Sequence, residues 1–243
     1  MTDQSTRDER PNDPLRSPVR PTPPQIATGS AAPVPPPAPQ TESPARDPVT
    51  ALNSIRAKME AVSDEFAQGT INSVQFNAMY RRYSEQRTII EKLIERDPES
   101  DAWRRVMSVK GQTGFLRTQF EALPLYYAVF QANSSRPLLM GGKQTPIEVL
   151  LTVIAEKLWA LPNRPNPGLA RKTLSTGQWV IVATGSHAGT FVVFSLEPSN
   201  AQARLIRDLH ADFERANAAA FERNQLIPER MVFPQRALAE GSI

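Results

Sequence analysis

The chain has 243 residues, 40% of them hydrophobic, and a formal net charge of +3 at pH 7. It contains no cysteine, which excludes disulfides, thiol nucleophiles and thiolate metal sites together. No apolar run approaches the ~18 residues that cross a membrane, and no dense Lys/Arg stripe with interleaved aromatics argues for nucleic acid.

Residues 1–48 hold 13 of the 23 prolines, in runs such as "RPTPP" and "PVPPPAPQ", and show no apolar periodicity. So few large apolar residues cannot offset the entropy of ordering a chain. This segment reads as a disordered proline-rich tail of polyproline II character, either a spacer or a ligand for a proline-reading module. It carries five Arg and six acidic residues, so the rest of the chain is about +4. The opening "MTDQSTRDERPNDP" is neither a signal nor a transit sequence, and a cytoplasmic location is expected.

A helical hairpin region is predicted over 49–108. Leu52, Ile55, Met59, Val62 and Phe66 recur at 3-4-3-4 spacing, one apolar stripe along a helix. "QGT" breaks it, with Gly69 as a C-terminal cap. Asn72 and Gln75 form a capping-box start for a second helix bearing Phe76, Met79, Tyr80, Tyr83, Ile90, Leu93 and Ile94. Pro98 ends that helix at Asp97. A short helix is expected around Trp103, Val106 and Met107. The passage "FAQGTINSVQF" weakly resembles the SHOCT modules, on Gly69, Ile71 and Phe76. An ordinary helix-turn-helix connection explains the same three residues.

An α/β domain is expected over 109–222. After a helix ending near Leu123, "LYYAVFQA" (125–132) reads as a strand, "NSSRP" as a turn and "LLMGG" as a second strand. Pro146 suits the first turn of a helix, "IEVLLTVIAEKLWAL", which is apolar over most of its circumference. Its only polar stripe is Glu148, Thr152, Ala155 and Glu156. "LARKTLST" is a third strand. Residues 179–183 and 191–196 are the fourth and fifth, joined by the turn "TGSHAG". A closing helix follows from Ala201 to Phe221. The last segment, 223–243, reads as a tail in which Met231, Val232 and Phe233 could dock.

Strands four and five lack polar alternation, so both faces of their sheet must be covered. The predicted fold class is therefore α+β: a three-layer α/β/α sandwich around a five-stranded antiparallel sheet.

The order of elements from Gly114 to Phe221 resembles the roadblock domain, a relative of the longin and profilin-like folds. The features that carry it are the opening helix, the pair "YYAVFQA" and "PLLMGG", the apolar helix "IEVLLTVIAEKL", three strands ending "TFVVFSL" and the closing helix. The first strand turn here is "NSSR", where the family often has an Asp-Gly turn, and other profilin-like modules share the order. The resemblance implies a non-enzymatic interaction platform that forms a homodimer and regulates a Ras-like small GTPase. The alternative is a structural scaffold or adaptor with no GTPase link.

The excess apolar side chains of helix 147–161 carry the site expectation. Leu150, Leu151, Ile154, Leu158 and Trp159 are the candidate dimer or partner interface. Equally, the 49–98 hairpin could cover the helix's second side. No catalytic, metal or cofactor residues are expected. His187 reads as a loop residue and His210 as a helix-flank residue. The pairs Glu148/Glu156 and Asp208/Asp212 read as solvated surface. "GGK" (141–143) lacks the spacing of a phosphate loop, and Ser186 lacks a nucleophile elbow.

Overall fold

The computed structural model describes residues 47–108, 112–163 and 166–240, so almost all of the proline-rich tail lies outside the described residues. Helix α1 (Pro48–Gln68) starts where the Asp47 carboxylate accepts the Thr50 N–H at 2.8 Å, with proline in its first turn. It stops at Gly69, whose φ of 74° is the left-handed cap that glycine adopts freely. Ala51, Ile55, Met59 and Val62 are buried. Helix α2 (Ser73–Arg96) opens on the reciprocal Asn72/Gln75 capping box and ends at Asp97, before Pro98. Helices α3 (Ala102–Met107) and α4 (Gln112–Gln119) close this helical layer. Trp103 packs with Ile55, Met59 and Ile90, and Leu116 with Val62, Ile71 and Met79.

Five strands follow: β1 (Pro124–Gln131), β2 (Pro137–Gly142), β3 (Gly168–Thr173), β4 (Trp179–Thr184) and β5 (Ala188–Phe194). Their order is β2-β1-β5-β4-β3, and every neighbouring pair is antiparallel. Strands β4 and β5 are central and buried almost throughout, as their apolar sequences require. Strand β5 begins three residues earlier than its apolar run, because Ala188, Gly189 and Thr190 already pair with β1 and β4.

The pleat sends alternate side chains to opposite layers. Val180, Val182, Phe191 and Val193 join Tyr126, Ala128 and Phe130 beneath helix α5 (Glu148–Trp159). Ile181, Ala183, Val192 and Phe194 join Ala122 and Tyr127 beneath helix α6 (Asn200–Ala216). Each fully buried side chain of this size contributes about 1.5–3 kcal/mol. The three-layer arrangement is thus present, with α5 and α6 on opposite faces.

Two capping boxes tie the helical layer to the sheet. Asn72 Nδ2 donates to Phe120 O at 2.8 Å, and Gln75 Nε2 to Arg117 O at 2.7 Å. From the other side, Gln202 Nε2, in the Ser199/Gln202 box of α6, donates to Ala122 O at 2.8 Å. The connection into β1 is therefore held by polar side chains that also cap helices. The described residues from Asp47 onward accordingly belong to one compact unit.

Two expectations for the C-terminal end change. The closing helix is interrupted at Asn217, after which helix α7 (Ala218–Glu222) resumes. The segment beyond 222 is not peripheral. It makes 3-10 turns at Pro228–Arg230 and Pro234–Arg236 and a last helix α8 (Ala237–Glu240). Met231, Phe233, Gln235 and Leu238 in it are buried, whereas Val232 is 56% exposed.

Candidate interaction surfaces

Helix α5 is short, and the phase of its turn decides which apolar residues face inward. Leu151 and Ala155 are fully buried against the sheet. Ile154, Leu158 and Trp159 pack on the same cluster as partly buried residues. Trp159 also donates from Nε1 to Ser134 O at 2.9 Å, pinning the β1–β2 turn. Its ring lies 2.9 Å from where a Cβ on residue 189 would stand, so a side chain there would have to push the indole aside. Of the five residues expected at an interface, Leu151 is core, Ile154, Leu158 and Trp159 are seated on the core, and Leu150 is half-buried.

The outward stripe is different. Val149 is 76% exposed and Val153 40%, with Ile147 just before the helix at 51%. Both sides of α5 are apolar at its N-terminal half, so composition alone could not assign the phase. Ala155, which looked like part of a polar stripe, is the small residue that lets the helix approach the sheet. The hairpin does not cover the outward stripe. Its clusters contain only residues of α1 to α4 and of the α1–α2 turn, and that turn contacts the start of α6 on the other face.

Strand β3 is the sheet edge beside β4, and its outer side pairs with no strand among the described residues. Register with β4 places Ala170 and Lys172 on the α5 face and Leu169, Arg171 and Thr173 on the α6 face. Arg171 donates from Nη2 to Asn200 Oδ1 at 2.9 Å. All residues of β3 after Gly168 are exposed.

The titratable residues divide sharply. Asp208 and Asp212 are exposed and bonded to Arg207 and Arg215. Glu148 and Glu156 are exposed on α5. Lys143 of "GGK" is exposed, and Ser186 Oγ accepts from Asn166 Nδ2 at 3.2 Å. His187 is exposed, with its ring stacked on Phe221 at 5.0 Å. His210 is not a flank residue: it is 3% exposed. Its Nδ1 lies 3.0 Å from Thr190 Oγ1, which also accepts Gln235 Nε2 at 3.0 Å. Its Nε2 faces Glu214 Oε1 at 3.8 Å. Burial holds His210 below its ordinary value, and the Glu214 charge opposes that shift. Glu214 accepts the N–H groups of Ser186, His187 and Ala188, at 3.1, 2.7 and 2.9 Å, and so fixes the β4–β5 turn.

This polar chain went unread in the sequence because Gln235 and Thr190 are remote from α6. One signal was available: His210 follows Ile206 by four residues and so lies on the apolar stripe. The Glu214 carboxylate is taken up by the three turn amides, and the His210 ring lies buried between Thr190 and Glu214. Among the described residues no three His, Asp or Glu side chains converge to hold a metal ion. A shallow cavity of about 280 Å³ lies between the hairpin turn and the start of α6. Its Gln75, Ser199 and Gln202 are all engaged in the capping boxes.

Comparison with family models, with curated proteins and with solved structures gives no match to this chain.

Proposed function

We propose that this chain is a non-enzymatic interaction module that forms a twofold dimer through α5 and β3 and presents the joined surface to a protein partner. The observations that carry the reading are the bare stripe of Val149 and Val153 on α5 and the open β3 edge of the same sheet. Exposed apolar surface of this kind marks interfaces, and twofold symmetry is the commonest way to cover it. A twofold axis normal to the sheet keeps both α5 helices on one side. Opposed residues must share a face, so the axis must lie midway between a β3 residue and its own copy. Centring it on Arg171 opposes two arginines, which is unfavourable. Centring it on Ala170 opposes Leu169 to Arg171 and avoids the like-charge pair. The resemblance to the roadblock domain makes a Ras-like small GTPase the leading partner class.

The test uses residues 47–243. Sedimentation at tens of micromolar (roughly the range of weak interfaces) is expected to show a dimer. Val149→Glu with Val153→Glu is expected to give a folded monomer. Because the chain has no cysteine, Ala170→Cys supplies a single thiol that should cross-link the dimer to itself. A strictly monomeric wild-type chain sinks the reading. For the partner, binding to Ras-like GTPases loaded with GDP or a GTP analogue is measured on the dimer and on the Glu variant.

A second reading, a scaffold or adaptor with no GTPase link, draws on the hairpin. There Phe66 and Tyr80, 40% and 38% exposed, flank Phe76 in a continuous aromatic row, with ring separations of 4.6 and 5.3 Å. A dimer that binds no GTPase in either nucleotide state favours this reading.

A further inference from the structure

The α6 face of the sheet is closed partly by α6 and partly by the C-terminal segment, and the two are held in different ways. Helix α6 buries an apolar stripe. The segment is gripped by its main chain. Asn217 Oδ1 accepts the Val232 N–H at 2.9 Å, and Asn217 Nδ2 donates to Val232 O at 2.7 Å. Both polar groups of one extended residue are read by one side chain, which is 4% exposed. Helix α6 is broken at that residue.

Around this clamp the side chains alternate. Met231 and Phe233 point inward, and Val232 between them is exposed. Phe233 stacks on Phe213 at 5.2 Å, in a pocket shared with Val129 and Ala188. Beyond Pro234, Gln235 is fully buried and donates to Thr190. Leu238 then enters the cluster of Tyr127 and Ile206. The connector is exposed at residues 222–225, and its backbone N–H groups cap α7.

Main-chain bonds with pockets for alternate side chains are the physics of extended-peptide recognition. A chain end that merely covered apolar surface would need neither the interrupted helix nor the bidentate amide. We propose that this groove is a peptide-binding site that the chain fills with its own residues 231–238. From a partner protein it would take a segment of the same chemistry, extended at its start and turning at its proline: an apolar residue, one free position, Phe-Pro-Gln, two free positions and Leu. The partner segment displaces the resident one, so binding is gated by release of the chain's own end. This site is on the opposite sheet face from α5 and does not depend on the dimer reading.

The experiment keeps the folded full-length chain. A protease recognition sequence is inserted between Arg223 and Asn224, within the exposed connector, where insertions are tolerated. The protein is cut after folding. A fluorescent peptide of residues 228–243 is then added, and exchange is followed by anisotropy while circular dichroism reports the fold. The expected result is exchange with the fold retained, and competition by an unrelated peptide carrying only the four anchors. A peptide with Phe233→Ala should compete at least tenfold less well. Asn217→Ala in the protein should weaken capture at least tenfold. Two outcomes overturn the proposal. One is a cut chain that never exchanges, or that unfolds as its segment leaves, which makes the segment an inseparable piece of core. The other is competition by the native sequence alone and not by the four-anchor peptide. Val149→Glu with Val153→Glu should leave exchange unchanged.

Discussion

Gly69→Ala is the sharpest test of how the helical layer meets the sheet. The residue sits at φ 74°, where a Cβ costs about 1–2 kcal/mol. A Cβ built there would lie 2.4 Å from Asn200 Cβ, far inside the usual ~3.5–4.0 Å for carbon pairs. The hairpin turn must therefore retreat by on the order of 1 Å from α6, given that normal spacing. That movement breaks the bond from Ala201 N–H to Gly69 O, 2.8 Å long, and strains the one from Arg204 Nη2 to Gln68 O. At about 1 kcal/mol for each bond the docking loss is roughly 1–2 kcal/mol. Together with the left-handed cost, Gly69→Ala should destabilise by about 2–4 kcal/mol. The two parts separate in a double-mutant cycle with Asn200→Gly, which removes the colliding carbon but leaves the backbone cost. Urea unfolding followed at 222 nm measures all four corners. A favourable coupling of roughly 1–2 kcal/mol is expected between the two sites. Additivity within about 0.5 kcal/mol would refute the close approach. The docking of the hairpin on the α6 side, which leaves α5 uncovered, would fall with it.

Val193→Asp and Val182→Asp place a charge under α5 and should each cost several kcal/mol, on the order of an unpaired buried charge; unchanged melting temperatures for both would mean that this face is wet. His210 is held below its ordinary value by burial, so the folded state binds fewer protons than the unfolded chain. Its contribution is therefore complete above the unfolded pKa of about 6.5 and is lost as pH falls through the lower folded value. Thermal melts from pH 7.5 down to 5 should show this decline, and His210→Gln should flatten it; an equal slope in the variant rules His210 out as its source. Glu214→Gln weakens the carboxylate that three turn amides share, and hydrogen exchange at residues 186–188 should quicken at least several-fold while exchange in β1 stays slow. Equal protection in both proteins would mean that the turn is held by its own backbone.

The pattern of apolar residues was enough to read the layers, because β4 and β5 lack a polar face and so require cover on both sides. The caps at Gly69, Asn72 and Gln75 were legible for a local reason: each acts on backbone within three or four residues. What the sequence concealed is non-local. Gln75 and Gln202 look like capping residues and are, yet their free amide groups also grip the connection into β1. Asn217 reads as one more helical residue until its partner at Val232 is in place. The phase of α5 was hidden because both of its stripes are apolar near the N-terminus. Sequence reasoning therefore selected Leu150, Leu151, Ile154, Leu158 and Trp159, of which the last four pack on the helix's own sheet.

That correction changes what a substitution on α5 can mean. Glutamate at Leu158 or Trp159 would disturb the cluster with Phe191 and the bond to Ser134, so loss of self-association there would be indistinguishable from loss of fold. Val149 and Val153 lie on the other stripe, and glutamate at either meets solvent in the free chain. At those two positions a charge tests the proposed association without entering the core. The asymmetry of the sheet points the same way. Its α6 face carries a helix, a docked chain end and the hairpin turn, whereas its α5 face carries one twelve-residue helix with apolar residues turned outward. The proposed dimer would cover these bare valines, which are the exposed apolar stripe of the α5 face.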